Sequence, residues 1–332
     1  MTRNLVIFIM GADYFPENGA RIPLKPHRED RKKEFTMAER ITGHTQLLGF
    51  FGSPAAHSSS PAMHNEAFAQ LGLDYAYLAF DIDLTRIEDA VKALKTFHMK
   101  GANVSMPCKN AVMQYLDEID PAARLCEAVN TIVVQPDGSL KGYSTDGVGY
   151  MTSLSDVGID IIGKKITLVG CGGAGKAIAV QAALDGVKEI SIFNVRDSFW
   201  SRCEKAVADI TAETDCKVNL FELNTADPAA MQVLKDEIAD SVLLANATGV
   251  GMGKLKGQTY IPDKSFLRPD LIVTDTIYSP AKTALLEMAE EVGCTTVNGL
   301  GMLFFQGAAA FKLWMGQDMP IEHMKKYIGL TK

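Results

Sequence analysis

Gly170-Cys171-Gly172-Gly173-Ala174-Gly175 is the stretch that most narrows what this chain can become. It fits G-x-G-x-x-G, follows the apolar run Ile166-Thr167-Leu168-Val169 directly, and opens a helical pattern over residues 174–184. Glycines in that setting allow a tight turn, and they bring backbone N–H groups and a helix N-terminus up to a pyrophosphate. A glycine-rich strand-to-helix turn without a ligand looks the same in isolation. The strand–loop–helix context favours the dinucleotide reading.

Short apolar runs and helical patterns alternate on both sides of this loop. Before it, strands are expected at 46–52, 75–81 and 102–105, with helices at 61–71, at 85–97 and from Pro107. Runs at 129–134 and 140–143 form a hairpin-like pair about Pro136-Asp137-Gly138, which is turn chemistry. A second series starts near Asp146, with strands at 165–170, 189–194, 217–221, 241–246, 271–275 and 295–297. Helical patterns separate most of them, as in a parallel doubly wound sheet. Helical tails at 302–315 and 320–328 have no strand after them and are expected to pack back on the first unit.

A chain of 332 residues exceeds what one core usually spans. The expected class is therefore a two-domain α/β protein. Residues 41–145 form an N-terminal α/β substrate domain, completed by helices within 302–332. Residues 146–301 form a C-terminal doubly wound Rossmann-type NAD(P)-binding domain. Residues 1–40 read apart, with an apolar run at 5–10 and then six Lys/Arg against two acids over 21–33. No signal-peptide pattern is present, so a poorly ordered extension is expected, with the native start at Met37.

The net charge of −7, without a long block of one sign, makes nucleic acid and acidic membrane surfaces poor partners. No apolar run approaches the ~20 residues of a membrane span. The six cysteines form no C-x-x-C pair and the histidines no H-E-x-x-H, so reduced, cytoplasmic usage without a metal is expected.

Four further segments carry candidate chemistry. Asn194-Val195-Arg196-Asp197 ends the strand after the loop, where an acid suits ribose hydroxyls and an arginine suits a 2′-phosphate. Asp197 would equally serve the start of the helix expected at 198–210. Ser58 and Ser60 precede a helix with Pro61 at its first position; they suit a carboxylate ligand, although capping by Ser60 explains them as well. Lys109 falls at the start of the helix expected from Pro107, where a cation opposes the dipole, and local misfits gather at functional sites. Asp146 falls at the seam between the two units and would also cap the helix there.

Ordered motifs along the chain add up to more than any of these alone. They are Gly52-x-Pro54-x-x-His57-Ser58-x-Ser60-Pro61, Gly101-Ala102-Asn103-Val104-Ser105-Met106-Pro107-x-Lys109 and Ala128-Val129-Asn130-Thr131. They continue with Ser144-Thr145-Asp146-Gly147, Asn246-Ala247-Thr248-x-x-Gly251-Met252, Tyr278-x-Pro280 and Gly301-Met302-Leu303-x-x-Gln306. Together they resemble the shikimate dehydrogenase family, and with Ser105-Met106-Pro107 more closely its quinate/shikimate branch. The resemblance implies that Ser58 and Ser60 hold a substrate carboxylate. It implies that Ser105, Lys109, Asn130, Asp146 and Gln306 contact ring hydroxyls, with Lys109 and Asp146 as the catalytic pair. Gly170, Cys171, Gly172, Gly173, Ala174 and Gly175 would then cradle the cofactor, and Asn194, Val195, Arg196 and Asp197 would surround its ribose. Thr248, Thr276, Ile277, Tyr278, Ser279 and Gly299 would lie towards the nicotinamide. A homodimer is implied as the assembly.

Three departures from the family pattern bear on these roles: Ser144 for asparagine, Gly249 for a lysine and Val195 for an arginine. With two cations missing and Asp197 beside the ribose, NAD is expected over NADP. The expected reaction is reversible oxidation of a ring hydroxyl of shikimate or quinate, with Lys109 as base. The same motifs would suit an aminoshikimate substrate or a sensor without turnover. Tyr278-x-x-x-Lys282 matches the Y-x-x-x-K of short-chain dehydrogenases, but Pro280 between them argues against one helical face.

Overall fold

The computed structural model describes residues 41–330, so the expectations for residues 1–40 lie outside the described residues. The first half runs β1 (Gln46–Gly52), α1 (Ser60–Leu71), β2 (Tyr75–Asp81), α2 (Ile87–Thr96) and β3 (Gly101–Val104). A 3₁₀ turn (Ala111–Tyr115), β4 (Glu118–Ile119), α3 (Pro121–Cys126), β5 (Thr131–Val134) and β6 (Leu140–Tyr143) complete it. These strands form one sheet in the order β2-β1-β3-β5-β6-β4. β1 lies parallel to both neighbours, and β5 lies antiparallel to β3 and β6.

The second half begins with α4 (Asp146–Asp156), β7 (Lys165–Val169), α5 (Gly173–Leu184), β8 (Glu189–Asn194), α6 (Trp200–Glu213) and β9 (Lys217–Glu222). It continues through α7 (Pro228–Ala239), β10 (Leu243–Asn246), β11 (Ile272–Asp275), α8 (Ala284–Val292) and β12 (Thr295–Val297). Its sheet order is β12-β11-β10-β7-β8-β9, parallel throughout. That is the doubly wound order, with its reversal between β7 and β10, where ligands enter at the strand C-termini. The expected fold class is what the chain adopts.

The last helices, α9 (Leu300–Met315) and α10 (Ile321–Ile328), return to the first half. Phe304, Phe311 and Trp314 of α9 share a buried core with Leu48, Phe68 and Tyr77. The Trp314 indole donates to the Ile132 carbonyl at 2.9 Å, so its one polar atom stays satisfied inside that core. Each fully buried aromatic ring there is worth roughly 1.5–3 kcal/mol. On its other side α9 meets α4, and the two approach closely because Gly149 has no side chain. A Cβ there would sit 2.5 Å from the Gln306 nitrogen.

Two local expectations are corrected. No α-helix follows Pro107; only the short 3₁₀ turn does, so Lys109 opposes no α-helix dipole. β4 and α3 were not anticipated, because two and six residues are too few to show a period.

Candidate active site

Topology gathers the expected substrate residues at one end of the first sheet. The parallel strands β1 and β3 deliver their following loops there, with Ser58, Ser60 and Ser105. The antiparallel β5 starts at that end just after Asn130, and β6 finishes there just before Thr145 and Asp146. The loops after β1 and β3 are tied together, since Ser53 N–H donates to the Met106 carbonyl at 3.0 Å and Ser105 N–H to that of Phe51 at 2.8 Å.

Asp146 is the first residue of α4, with Thr145 rather than Asp146 at the N-cap. Its Oδ2 meets Lys109 Nζ at 2.5 Å, and its Oδ1 accepts from Asn130 Nδ2 at 2.9 Å. Both members of the Lys109–Asp146 pair are mostly covered, with side chains 23% and 18% exposed. The Lys109 carbonyl accepts the Val129 N–H at 2.9 Å, which anchors the lysine loop beside Asn130. Asn130 is buried and held by Thr145 N–H (2.8 Å) and Thr131 Oγ1 (3.0 Å) on its Oδ1. Gln306 reaches in from α9, with Oε1 3.4 Å from Asn130 Nδ2.

Ser58 and Ser60 are not used as expected for capping. The N-cap of α1 is Ser59, without a side-chain bond, and Ser60 is the first helical residue. Ser58 Oγ accepts from the Ser60 N–H at 3.3 Å. The two serines thus stand at a helix N-terminus, a place that favours an anionic ligand.

The glycine loop lies across the crevice. Gly170 has φ +98, and Gly175 lets α5 approach so closely that a Cβ would sit 1.9 Å from the Gly170 carbonyl. Gly172 and Gly173 face open space, with nothing within 4 Å of a Cβ built on either. Gly172 caps α5 without a side-chain bond, so the N–H groups of Gly173, Ala174 and Gly175 are presented to that space. Residues, room and dipole all fit a pyrophosphate. The Cys171 N–H donates to Asn194 Oδ1 at 3.0 Å, joining the loop to the end of β8.

Where the nicotinamide is expected, two loops hang on buried Asn246 and Asp275. Asn246 Oδ1 accepts from Thr248 N–H (3.0 Å) and Thr248 Oγ1 (2.7 Å), and Asn246 Nδ2 donates to Asp275 Oδ1 (3.0 Å). Asp275 also accepts from Ile277 N–H (2.9 Å) and Thr283 Oγ1 (2.8 Å), while burial pushes its carboxyl up. Thr276 N–H donates to the Asn246 carbonyl, and Gly299 N–H to that of Ile277. Tyr278 and Ser279 are exposed ahead of α8. Lys282 lies in the same loop, bonded to Glu290 at 2.7 Å, so it shares no helical face with Tyr278.

One ion cluster joins the two halves. Glu127, at the end of α3 with φ +49, pairs with Lys176 of α5 (2.7 Å) and Lys205 of α6 (2.8 Å). Those two bonds hold its carboxyl down at about 2. Sequence reasoning missed Glu127, Asp275 and Arg202. An acid closing an apolar strand was the available signal for Asp275; Glu127 and Arg202 carried none.

Models of two domains match the chain: the shikimate dehydrogenase substrate binding domain over residues 50–132, and the shikimate 5′-dehydrogenase C-terminal domain over residues 299–326. Shikimate dehydrogenase (NADP(+)) of Listeria monocytogenes serotype 4b (strain F2365) is 52% identical over 292 residues, covering 88% of this chain and 98% of the relative. The crystal structure of shikimate 5-dehydrogenase from Listeria monocytogenes with shikimate and NAD superposes at a TM-score of 0.83 with 53% identity, covering 87% of this chain and 98% of that one. The Thermus thermophilus enzyme, with NADP(H) and shikimate, gives 0.72 and 29% identity, covering 86% of this chain and 99% of that one.

These relatives correct the expectation of NAD over NADP: the curated Listeria protein is named for NADP(+), and the Thermus structure holds NADP(H). The physical reason lies in how Asp197 is used. Its Oδ1 accepts from the Phe199 N–H at 2.9 Å and so serves its own turn before α6. Arg196 stays at the surface with its guanidinium 5.1 Å over the Trp200 ring, and Arg202 sits likewise over Phe199. The segment therefore keeps two arginines at the surface, Arg196 also 3.8 Å from Glu222, while Asp197 bonds its own backbone.

Proposed function

Because this chain belongs to the shikimate dehydrogenase family, we propose that it catalyses the reversible NADP-linked oxidation of shikimate to 3-dehydroshikimate. The observation that carries this reading is the Lys109–Asp146 contact at 2.5 Å, at the seam of the two halves.

In this reading Ser58 and Ser60 hold the substrate carboxylate at the start of α1. Ser105, Asn130 and Gln306 orient the ring hydroxyls. Lys109 accepts the hydroxyl proton, which requires its amine uncharged when hydride leaves the ring carbon. Asp146 holds the same hydroxyl, and Asn130 keeps its carboxylate in place. Gly172 to Gly175 would cradle the pyrophosphate of NADP, which supplies the hydride acceptor when bound. Arg196 would neutralise the 2′-phosphate, and Thr248 with Thr276 to Ser279 and Gly299 would line the nicotinamide side.

The same site is proposed to oxidise quinate as a second substrate, on the strength of the Ser105-Met106-Pro107 segment. The division of labour is proposed to follow the two sheets, with residues 41–145 and the last two helices binding substrate and residues 146–301 binding cofactor. Initial rates of NADPH formation test the whole reading, with shikimate and quinate each supplied in turn. A fast shikimate rate supports it, and no NADPH from either substrate overturns it.

A further inference from the structure

The chain crosses between its halves twice, from β6 into α4 and from β12 into α9. Those two helices pack on each other, with Gly149 of one against Gln306 of the other. Two crossings define an axis and leave the angle about it open. A third contact, made by other elements, closes that freedom. α3 lies against α5, where its Cys126 enters the same buried core as Ile178 and Ala182. The next residue, Glu127, stands at φ +49, a left-handed conformation that a residue other than glycine adopts at a cost. Its side chain bonds Lys176 Nζ at 2.7 Å. Lys176 directly follows Gly175 and sits in the first turn of α5, where a cation opposes the helix dipole. Its side chain is only 10% exposed, so the carboxylate beside it is what makes a charge tolerable there. The backbone of Glu127 serves the other half. Its carbonyl accepts from Asn110 Nδ2, next to Lys109, while the Lys109 carbonyl accepts the Val129 N–H.

One residue thus ties the loop of the proposed base to the helix whose N-terminus is proposed to take the pyrophosphate. We propose that Glu127 is a positioning residue that sets the angle between the two halves, and with it the distance from Lys109 to the cofactor. The inference rests on the reading of Lys109 and the glycine loop given above. Each ligand meets its own half, so loosening the tie leaves each binary complex intact. What suffers is hydride transfer, which needs substrate, base and acceptor aligned at one time. Lys176 carries the tie. Lys205 also meets Glu127, at 2.8 Å, but it is more than half exposed and shared with Asp209, so it adds little.

The test is Glu127→Gln, which keeps the shape of the side chain and removes its charge. Lys176→Met is measured beside it, since it breaks the same bond without leaving a buried cation. Wild-type NADPH formation with shikimate is followed in parallel, so that failure of the functional reading shows in the wild type and failure of this inference only in the variants. Each variant should slow single-turnover NADPH formation about tenfold, the scale of a small misplacement of reacting groups. The Kd for NADPH, from fluorescence titration, and the shikimate KM should both stay within twofold. Adding Lys176→Met to Glu127→Gln should slow the step no further, because the bond is already lost. The inference is overturned if either single variant keeps the single-turnover rate within twofold of wild type. It is equally overturned if the two losses multiply in the double variant. NADPH binding that weakens as much as the rate falls would also overturn it, since Lys176 would then be a pyrophosphate ligand.

Discussion

Asn130 grips Asp146 through one carboxylate oxygen at 2.9 Å, leaving the other for Lys109 at 2.5 Å. A carboxylate held on both oxygens has one orientation, and so does the lysine bonded to it. Two side chains 37 positions apart in the chain thus become one bonded pair.

Lys109→Ala should therefore remove the proposed base without disturbing the second sheet. The expected loss in kcat is about 10²–10⁴-fold, the usual worth of a positioned acid–base group. Fluorescence titration should give an unchanged Kd for NADPH. A variant within threefold of wild type in kcat would falsify the assignment.

The glycine loop offers a contrast between two neighbouring substitutions. Gly175→Ala places a methyl 1.9 Å from a carbonyl oxygen, so backbone must move, and a loss of roughly 3 kcal/mol or more is expected. Gly172→Ala meets open space at φ −73 and should melt within about 2 °C of wild type. The same methyl occupies the room proposed for a pyrophosphate, so the KM for NADP should rise at least about tenfold. Thermal melts and initial rates on both variants check the pair.

Arg196 and Asp197 should have opposite fates in cofactor choice. Arg196→Ala is expected to lower kcat/KM for NADP about tenfold, the worth of one charge-assisted hydrogen bond, and to leave that for NAD unchanged. Asp197→Ala should leave the NADP-to-NAD ratio within twofold, because its carboxylate already bonds the Phe199 N–H. A ratio that moves strongly on removing Asp197 would mean that the acid faces the ribose.

His64 should make stability depend on pH. Its imidazole is fully buried, and burial pushes its pKa down to about 3 against an opposite pull from the Asn103 side chain. The folded protein thus binds a proton later than the unfolded chain, whose histidine titrates near 6.5. The contribution is full above about pH 6.5 and is lost as pH falls from there towards 3. Between pH 7 and pH 5 the wild type should lose about 2 kcal/mol that His64→Phe does not. Urea midpoints of both proteins at the two pH values measure the difference.

Much of this architecture could be read from residues alone, because long periodic segments and their punctuation are local. The loop at Gly170 announced β7 and α5, and the strands at 75–81, 189–194 and 295–297 came out with the expected ends. What escaped depends on contacts between distant segments. Lys109 drew attention for opposing a helix that does not form, whereas its structural partner is Asp146, which only the tertiary fold brings near. Asp197 looked free to face a ribose, and a single bond to the Phe199 N–H changed its meaning.

The bond from Trp314 to the Ile132 carbonyl closes a loop of 182 residues, and it has a consequence for the chain as it is made. While residues 46–143 leave the ribosome, their sheet has all its strands but lacks the helix that covers one face. The entire cofactor half must be synthesised before Phe304, Phe311 and Trp314 arrive. The first half to be born is thus the last to finish, and during translation its uncovered face is what a chaperone would meet. Nascent chains arrested after residue 301 should be cut by protease within 46–143 while β7 to β12 are already protected; equal protection of both halves would show that the sheet does not wait for its helix.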